Sequence, residues 1–272
     1  QPTITVNEVT KKGTLNYTPA ANANGDATVT VVVTDNGGTD NNALNSRTKS
    51  FEINVLSVND APVLSADGFL TADGSTGNFT AAPLLPTIKE DLSLSLNTGT
   101  LVSTFLDTDS VDDLDSGNVK GVAIVETDPV VAKGTWQFST TDPVNFTTFT
   151  ATAASSLLLD GANANHRIRF VPAQDFNGDV TIKYRAWDKS NEPTPGALFG
   201  ETANTATNGD PTPFSSALVT KTITVTSLND QPNATLDVGN AGLTVAEDFG
   251  EKTITGFATD FDRGGGTTEN TQ

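Results

Sequence analysis

Three observations predict an all-β chain of tandem antiparallel β-sandwiches. Short apolar–polar alternations rich in β-branched residues recur along its length. The tetrad Asn59-Asp60-Ala61-Pro62 returns as Asn229-Asp230-Gln231-Pro232, each time behind such a run, at a spacing of 229 − 59 = 170 residues. No stretch keeps a helical period beyond a turn or two with capping residues at both ends.

Taken in chain order, the strand signals are Ala27 to Thr34, Phe51 to Val58, Val180 to Trp187 and Thr222 to Leu228. Asn24-Gly25-Asp26 and Asn177-Gly178-Asp179 stand before two of them, and Asn-Gly supplies the positive φ of a tight turn. These signals form an internal repeat. Leu15-Asn16-Tyr17-Thr18-Pro19-Ala20 pairs with Ile168-Arg169-Phe170-Val171-Pro172-Ala173, Asn24-Gly25-Asp26 with Asn177-Gly178-Asp179, and Asp35 with Asp188, all at an offset of 153. The offset grows to 170 at the tetrads, which puts an insertion of 170 − 153 = 17 residues around Ser190 to Pro213. The front of the repeat recurs too: Glu90-Asp91 resembles Glu247-Asp248, and Asp107-Thr108-Asp109 resembles Asp260-Phe261-Asp262. Residues 1–62 therefore read as the back part of one repeat, 63–232 as a whole repeat, and 233–272 as the front of a third. The two end pieces look like complementary parts of one unit. Each alone would have open strand edges and a poor core, to be completed by neighbouring chain or by a sheet shared within this chain.

Composition narrows the partners. With 33 acids against 15 bases and a net charge of −18, a basic surface for nucleic-acid phosphate is excluded. Divalent cations suit so much carboxylate, and plain solubility is the competing reading. There is no Cys, so stapling must come from packing, metal or length. There is no Met either, so a processed chain or an internal segment is expected. No run approaches the ~20 apolar residues of a membrane helix. A hydrophobic content of 36% is low and suits short strands with one buried face.

The Asn-Asp-x-Pro tetrad behind an alternating strand resembles the linker between cadherin repeats and between bacterial cadherin-like repeats, including VCBS-type arrays. Gly13 to Ala21 with Asn24-Gly25 and Thr34-Asp35-Asn36-Gly37-Gly38 is similar to the bacterial form. So are Gly134-Thr135-Trp136-Gln137, Arg169-Phe170-Val171-Pro172, Phe176-Asn177-Gly178 and Arg185-Ala186-Trp187-Asp188. The resemblance implies seven-stranded Ig-like sandwiches in large secreted or surface proteins, many of them adhesins, with calcium between successive domains. At the first junction it implies Asn59 and Asp60 from the linker with Asp107, Asp109 and Asp188 from the following unit. At the second it implies Glu90, with Asp91 beside it, then Asn229 and Asp230 from the linker and Asp260 and Asp262 from the last unit. Asp35 would face a junction further upstream.

The chemistry of such a set is sound. Calcium takes six to eight oxygens from carboxylates, amides, carbonyls and water. Asp-x-Asp on an extended loop can point two carboxylates at one ion, and Asn adds a neutral oxygen. Pro62 and Pro232 hold the linker extended. Without a cation the carboxylates repel and the linker should splay; with calcium each junction should stiffen. Three departures from the cadherin pattern imply fewer ions or weaker binding, in the 10⁻⁴ to 10⁻³ M range of extracellular modules. Ser57 and Ser227 stand where the linker's leading Asp would be, Ala61 or Gln231 follows Asn-Asp, and no mid-domain Asp-Arg-Glu motif is visible. The competing reading is that these acids decorate turns. The run Asp107, Asp109, Asp112, Asp113, Asp115 lacks the Gly and terminal Glu of an EF-hand loop and reads as a solvated acidic loop.

Trp136 and Trp187 read as core or sheet-face residues, with sugar stacking as the alternative. His166, the only His, reads as a surface residue and cannot build a catalytic set alone. A Lys–Asn isopeptide staple and glycosylation at the Asn-x-Thr triplets stay open. No acid is singled out for glycosidase chemistry, so no enzyme activity is expected. The functional expectation is a structural or adhesive spacer of a large bacterial surface protein, extracellular and rigidified by calcium, with neighbouring repeats and a surface or glycan target as partners. The alternatives are a filament or sheath subunit whose end pieces complete each other between chains, and a non-catalytic carbohydrate-binding module. Neither nucleic-acid binding nor membrane insertion is expected.

Overall fold

The computed structural model describes residues 2–35, 45–64, 85–106, 111–115, 120–128, 131–192, 194, 196–236, 247–248, 250–251, 253, 255 and 257–262. It is all-β, and the chain divides into two compact units, Gln1–Asn59 and Asp60–Gln272.

The first unit holds two antiparallel pairs. Strand β1 (Thr3–Asn7) pairs with β2 (Lys12–Asn16), and β3 (Gly25–Thr34) pairs with β4 (Ser46–Val55) in a register that begins Gly25↔Val55 and runs to Thr34↔Ser46. None of its described residues is buried. Val29, Val31, Ile53 and Val55 are half-covered, whereas Val33 and Phe51 are exposed.

The second unit is a sandwich-like pair of sheets. One sheet has the order β11 (Thr147–Phe149), β10 (Gly134–Ser139), β13 (Arg167–Pro172), β7 (Thr100–Leu101). The other has the order β15 (Thr202–Ala203), β12 (Ser156–Asp160), β9 (Gly121–Thr127), β14 (Gly178–Trp187), β16 (Val219–Thr226), β6 (Ile88–Lys89). Alternation decides which side chains meet: Val180, Ile182, Tyr184 and Ala186 of β14 face inward with Ile223 and Val225 of β16. They pack with Trp136, Ile168 and Phe170 of the smaller sheet into one core. Strands β9 and β12 are buried on both faces, because Ala123 and Leu158 turn the other way. There they join Trp187 and Phe214 under Leu198 and Phe199 of the inserted segment. Burying one Leu or Phe stabilises by about 1.5–3 kcal/mol, so the insertion builds a second small core on what would be a wet face.

Two elements set the ends of this unit. At the entrance, β5 (Val63–Leu64) pairs with β8 (Val111–Asp112). At the exit, β16 runs parallel to β6, with Val225↔Ile88 and Thr226↔Lys89. A last pair, β17 (Asn233–Leu236) and β18 (Ala258–Asp262), closes the described chain.

The repeat inferred from sequence has a backbone counterpart. The β14–β16 register begins Gly178↔Val225 and ends Tyr184↔Val219, and subtracting 153 and 170 gives Gly25↔Val55 and Val31↔Lys49 of β3–β4. Asn22 and Asp175, 153 apart, share a positive φ of 57°. Gly25 and Gly178 lie at φ 108° and 125°, a region that glycine enters without steric cost. Asp91 and Asp248, the second residues of the two Glu-Asp pairs, lie at φ 55° and 60°.

Candidate metal centre

The chain reaches the exit of the second unit three times. Glu90 follows β6, Asp175 and Asn177 form the turn before β14, and Asp230 follows β16. Parallel pairing of β6 with β16 brings the first and last together despite 138 residues of separation in the Glu90–Leu228 contact. Glu90 is fully buried, at 0% exposure. Its backbone N–H donates to Thr226 O at 3.0 Å. Its carboxylate accepts the Leu228 N–H at 2.7 Å and the Asn177 side-chain amide at 3.2 Å. Charged hydrogen bonds of this kind are what make a buried carboxylate tolerable.

Beside this clamp, one carboxylate oxygen each from Asp91, Asp175 and Asp230 lies within 4.8 Å of the others. Asp91 is exposed; Asp175 and Asp230 are half-buried. Asp91 and Asp175 both sit at positive φ, a conformation that Asp tolerates better than most residues and that turns these side chains out of the strand alternation. Two oxygens bound to one calcium at 2.3–2.6 Å can stand at most about 5 Å apart, so the spacing fits a single ion. The donors are all hard oxygens, which suits calcium rather than zinc or copper. Left bare, each pair of charges at this spacing costs about 1 to 3 kcal/mol, depending on solvent screening.

A second acidic group lies at the other end. Asp175 and Asn177 precede the ten-residue strand β14 and Asp188 follows it, a rise of about 33 Å. Here the Asp60 N–H donates to the Asp115 carboxylate at 2.8 Å and the Ala61 N–H to Asp210 at 2.6 Å. Asp113 is held above the usual carboxylate range, first by burial and then by the charges of Asp188, Asp115 and Asp112. The Asp115 N–H, donating to Asp113 at 3.0 Å, opposes that shift.

The residues expected from sequence are therefore distributed unevenly. Asp230 enters the exit cluster, and Glu90 stands behind it as the clamp on the linker. Asn229 is exposed, with its amide donating to the Asp230 carbonyl at 3.2 Å. Asp60 and Asp188 belong to the entrance group, and Asn59 closes the first unit. Asp107 and Asp109 lie outside the described residues, and of Asp260 and Asp262 only the backbone, in β18, is described. Asp175, Asp113, Asp115 and Asp210 were not anticipated as site residues. For Asp175 the available signal was its place two residues before Asn177-Gly178; its counterpart Asn22 carries no charge, so the repeat concealed it.

Two further expectations are corrected, and for Trp136 and Trp187 the core reading holds over sugar stacking. The acidic run after Asp109 is not simply solvated, since Asp113 and Asp115 are half-buried and Asp115 receives the linker's N–H. His166 is not on the surface: it is 1% exposed, its Nδ1 accepts the Asp160 N–H at 2.8 Å, and its ring meets Phe199 edge-on. Burial lowers its pKa, with Asp160 working against that shift and Lys189 adding to it. Trp136 and Trp187, at 3% and 1% exposure, have no face open for stacking on a sugar.

No family model, no curated protein and no solved structure matches this chain.

Proposed function

We propose that this chain is a spacer segment of an extracellular array of cadherin-like repeats, in which calcium bound at the repeat ends fixes the linkers. The observation that carries the reading is the meeting of Asp91, Asp175 and Asp230 beside the Glu90 clamp. The exit linker supplies one ligand and the sandwich supplies two, so an ion held there ties the linker to the sandwich. The entrance group, with Asp60 and Ala61 hydrogen-bonded to Asp115 and Asp210, supports the same role at the other end. Millimolar calcium is an extracellular condition, which is why the reading places the chain outside the cell. Adhesion to a surface is part of the proposal only through the array that such spacers extend.

Thermal unfolding with and without calcium tests it. For a dissociation constant of 10⁻⁴ to 10⁻³ M, 10 mM calcium should stabilise the second unit by about 1.4–2.7 kcal/mol. That is a rise in Tm of roughly 3 to 10 °C. Asp175→Asn combined with Asp230→Asn should abolish the rise and slightly stabilise the calcium-free protein. A Tm indifferent to calcium in the native chain removes the proposal.

A further inference from the structure

Asn177-Gly178 and Asn24-Gly25 occupy the same turn of the repeat, yet their side chains are held differently. We propose that Asn24 is a self-modifying site that converts to aspartate and isoaspartate in water, while Glu90 keeps Asn177 from the same reaction. The inference does not depend on calcium. In the reaction the Gly25 amide nitrogen loses its proton to solvent base and attacks Asn24 Cγ. The new C–N bond closes a five-membered succinimide, the Cγ–Nδ2 bond breaks, and ammonia leaves. Water then opens the ring at either carbonyl. The net change is one water consumed, one ammonia released and one carboxylate gained.

The geometry separates the candidates. A following glycine offers no Cβ to obstruct the attack, and Asn24 and Gly25 are both exposed. The Asn24 side chain has no hydrogen-bond partner among the described residues. Asn177 must first break its 3.2 Å bond to the buried Glu90 carboxylate before its Cγ can swing to the Gly178 nitrogen. Asn208-Gly209 is restrained at both ends. Its amide donates to Thr205 O at 3.2 Å and Ala206 O at 3.3 Å, and the attacking nitrogen of Gly209 donates to Phe214 O at 2.8 Å. Asn36-Gly37 lies outside the described residues. The outcome at Asn24 is an added charge, and in the isoaspartate form an extra backbone carbon, at the first pair of the β3–β4 register.

Peptide mapping of the 272-residue chain aged at neutral pH, by chromatography that resolves Asp from isoAsp, tests this directly. A hydrogen bond to a charged acceptor slows the reaction roughly ten- to hundredfold, so Asn24 should convert at least about tenfold faster than Asn177, with Asn208 also slow. In strong denaturant the three rates should converge. Glu90→Ala should raise the Asn177 rate in the folded chain; if that variant does not fold, the native-against-denatured comparison still decides. Equal rates at Asn24 and Asn177 in the native chain, or a gap between them that persists in denaturant, overturn the proposal.

Discussion

The pairs β3–β4 and β14–β16 have the same register and opposite fates. Seven matched pairs, from Gly178↔Val225 to Tyr184↔Val219, recur from Gly25↔Val55 to Val31↔Lys49. Yet Val180, Ile182 and Tyr184 are at 0%, 0% and 1% exposure, whereas Ala27 is exposed and Val29 and Val31 are only half-covered. Register follows from turn chemistry and cross-strand pairing, which are local. Burial needs a second layer, which is not. In the second unit that layer includes Trp136, Ile168 and Phe170, with Val122 and Ile124 of β9 extending the inner face. The first unit departs from the second at β1 and β2. At the 153 offset β1 answers to β12 and β2 to the start of β13, which stand in different sheets of the second unit but pair with each other in the first.

The comparison predicts its own largest break. Ile182→Ala opens a cavity in a close-packed core and should cost about 2–5 kcal/mol. Val29→Ala, the same position one repeat earlier, should cost within about 0.5 kcal/mol, as at other poorly covered sites. Denaturant titration of both variants reads the difference. A cost for Val29→Ala as large as that for Ile182→Ala would mean that the first unit's face is packed in solution, and the contrast between the two pairs would collapse.

Glu90 sharpens the comparison at the exit. It is the only fully buried carboxylate among the described residues, and both oxygens are engaged. Glu90→Ala leaves the Leu228 N–H and the Asn177 amide without their acceptor, at about 1–3 kcal/mol. Glu90→Gln keeps one acceptor oxygen and should cost less. The expected signature is local: amide exchange at Leu228 should accelerate far more than exchange in the middle of β14. Uniform acceleration would show that Glu90 stabilises the unit as a whole rather than the linker.

What was legible in the sequence was what a short window contains. Period-two alternation and the Asn-Gly turns announced the β structure, because each rests on neighbouring residues alone, and the recurrence of the Asn-Asp-x-Pro tetrads suggested the repeat. Asp230 and Glu90 could be named because the repeat marks them. Asp175 could not, since only a distant strand pairing brings it to Asp91 and Asp230. The burial of His166 escapes the sequence for the same reason: Phe199, which packs edge-on against its ring, comes from an insertion thirty-odd residues later. Asp113 and Asp115 looked like a polar loop because hydrogen bonding to a linker 55 residues away leaves no trace in local composition.

The smallest effect tests the entrance group. Asp113 is held above its ordinary pKa of 3.8, chiefly by burial. A group whose folded pKa is raised favours folding in its neutral form, below the unfolded pKa, and that contribution is lost as pH rises through the folded pKa. At neutral pH the ionised carboxylate therefore weakens the calcium-free fold. Asp113→Asn should raise the Tm at pH 7 without calcium, by about 1 °C given solvent screening of a half-exposed group. The gain should shrink as pH falls through the folded pKa toward 3.8 and vanish below it, where the carboxyl is neutral in both states. With calcium present the sign should reverse if Asp113 faces the ion, because the variant loses a ligand. A gain at pH 7 that calcium leaves untouched would separate the two ends of the sandwich: a charge cluster that merely braces the linker at the entrance, and an ion site at the exit.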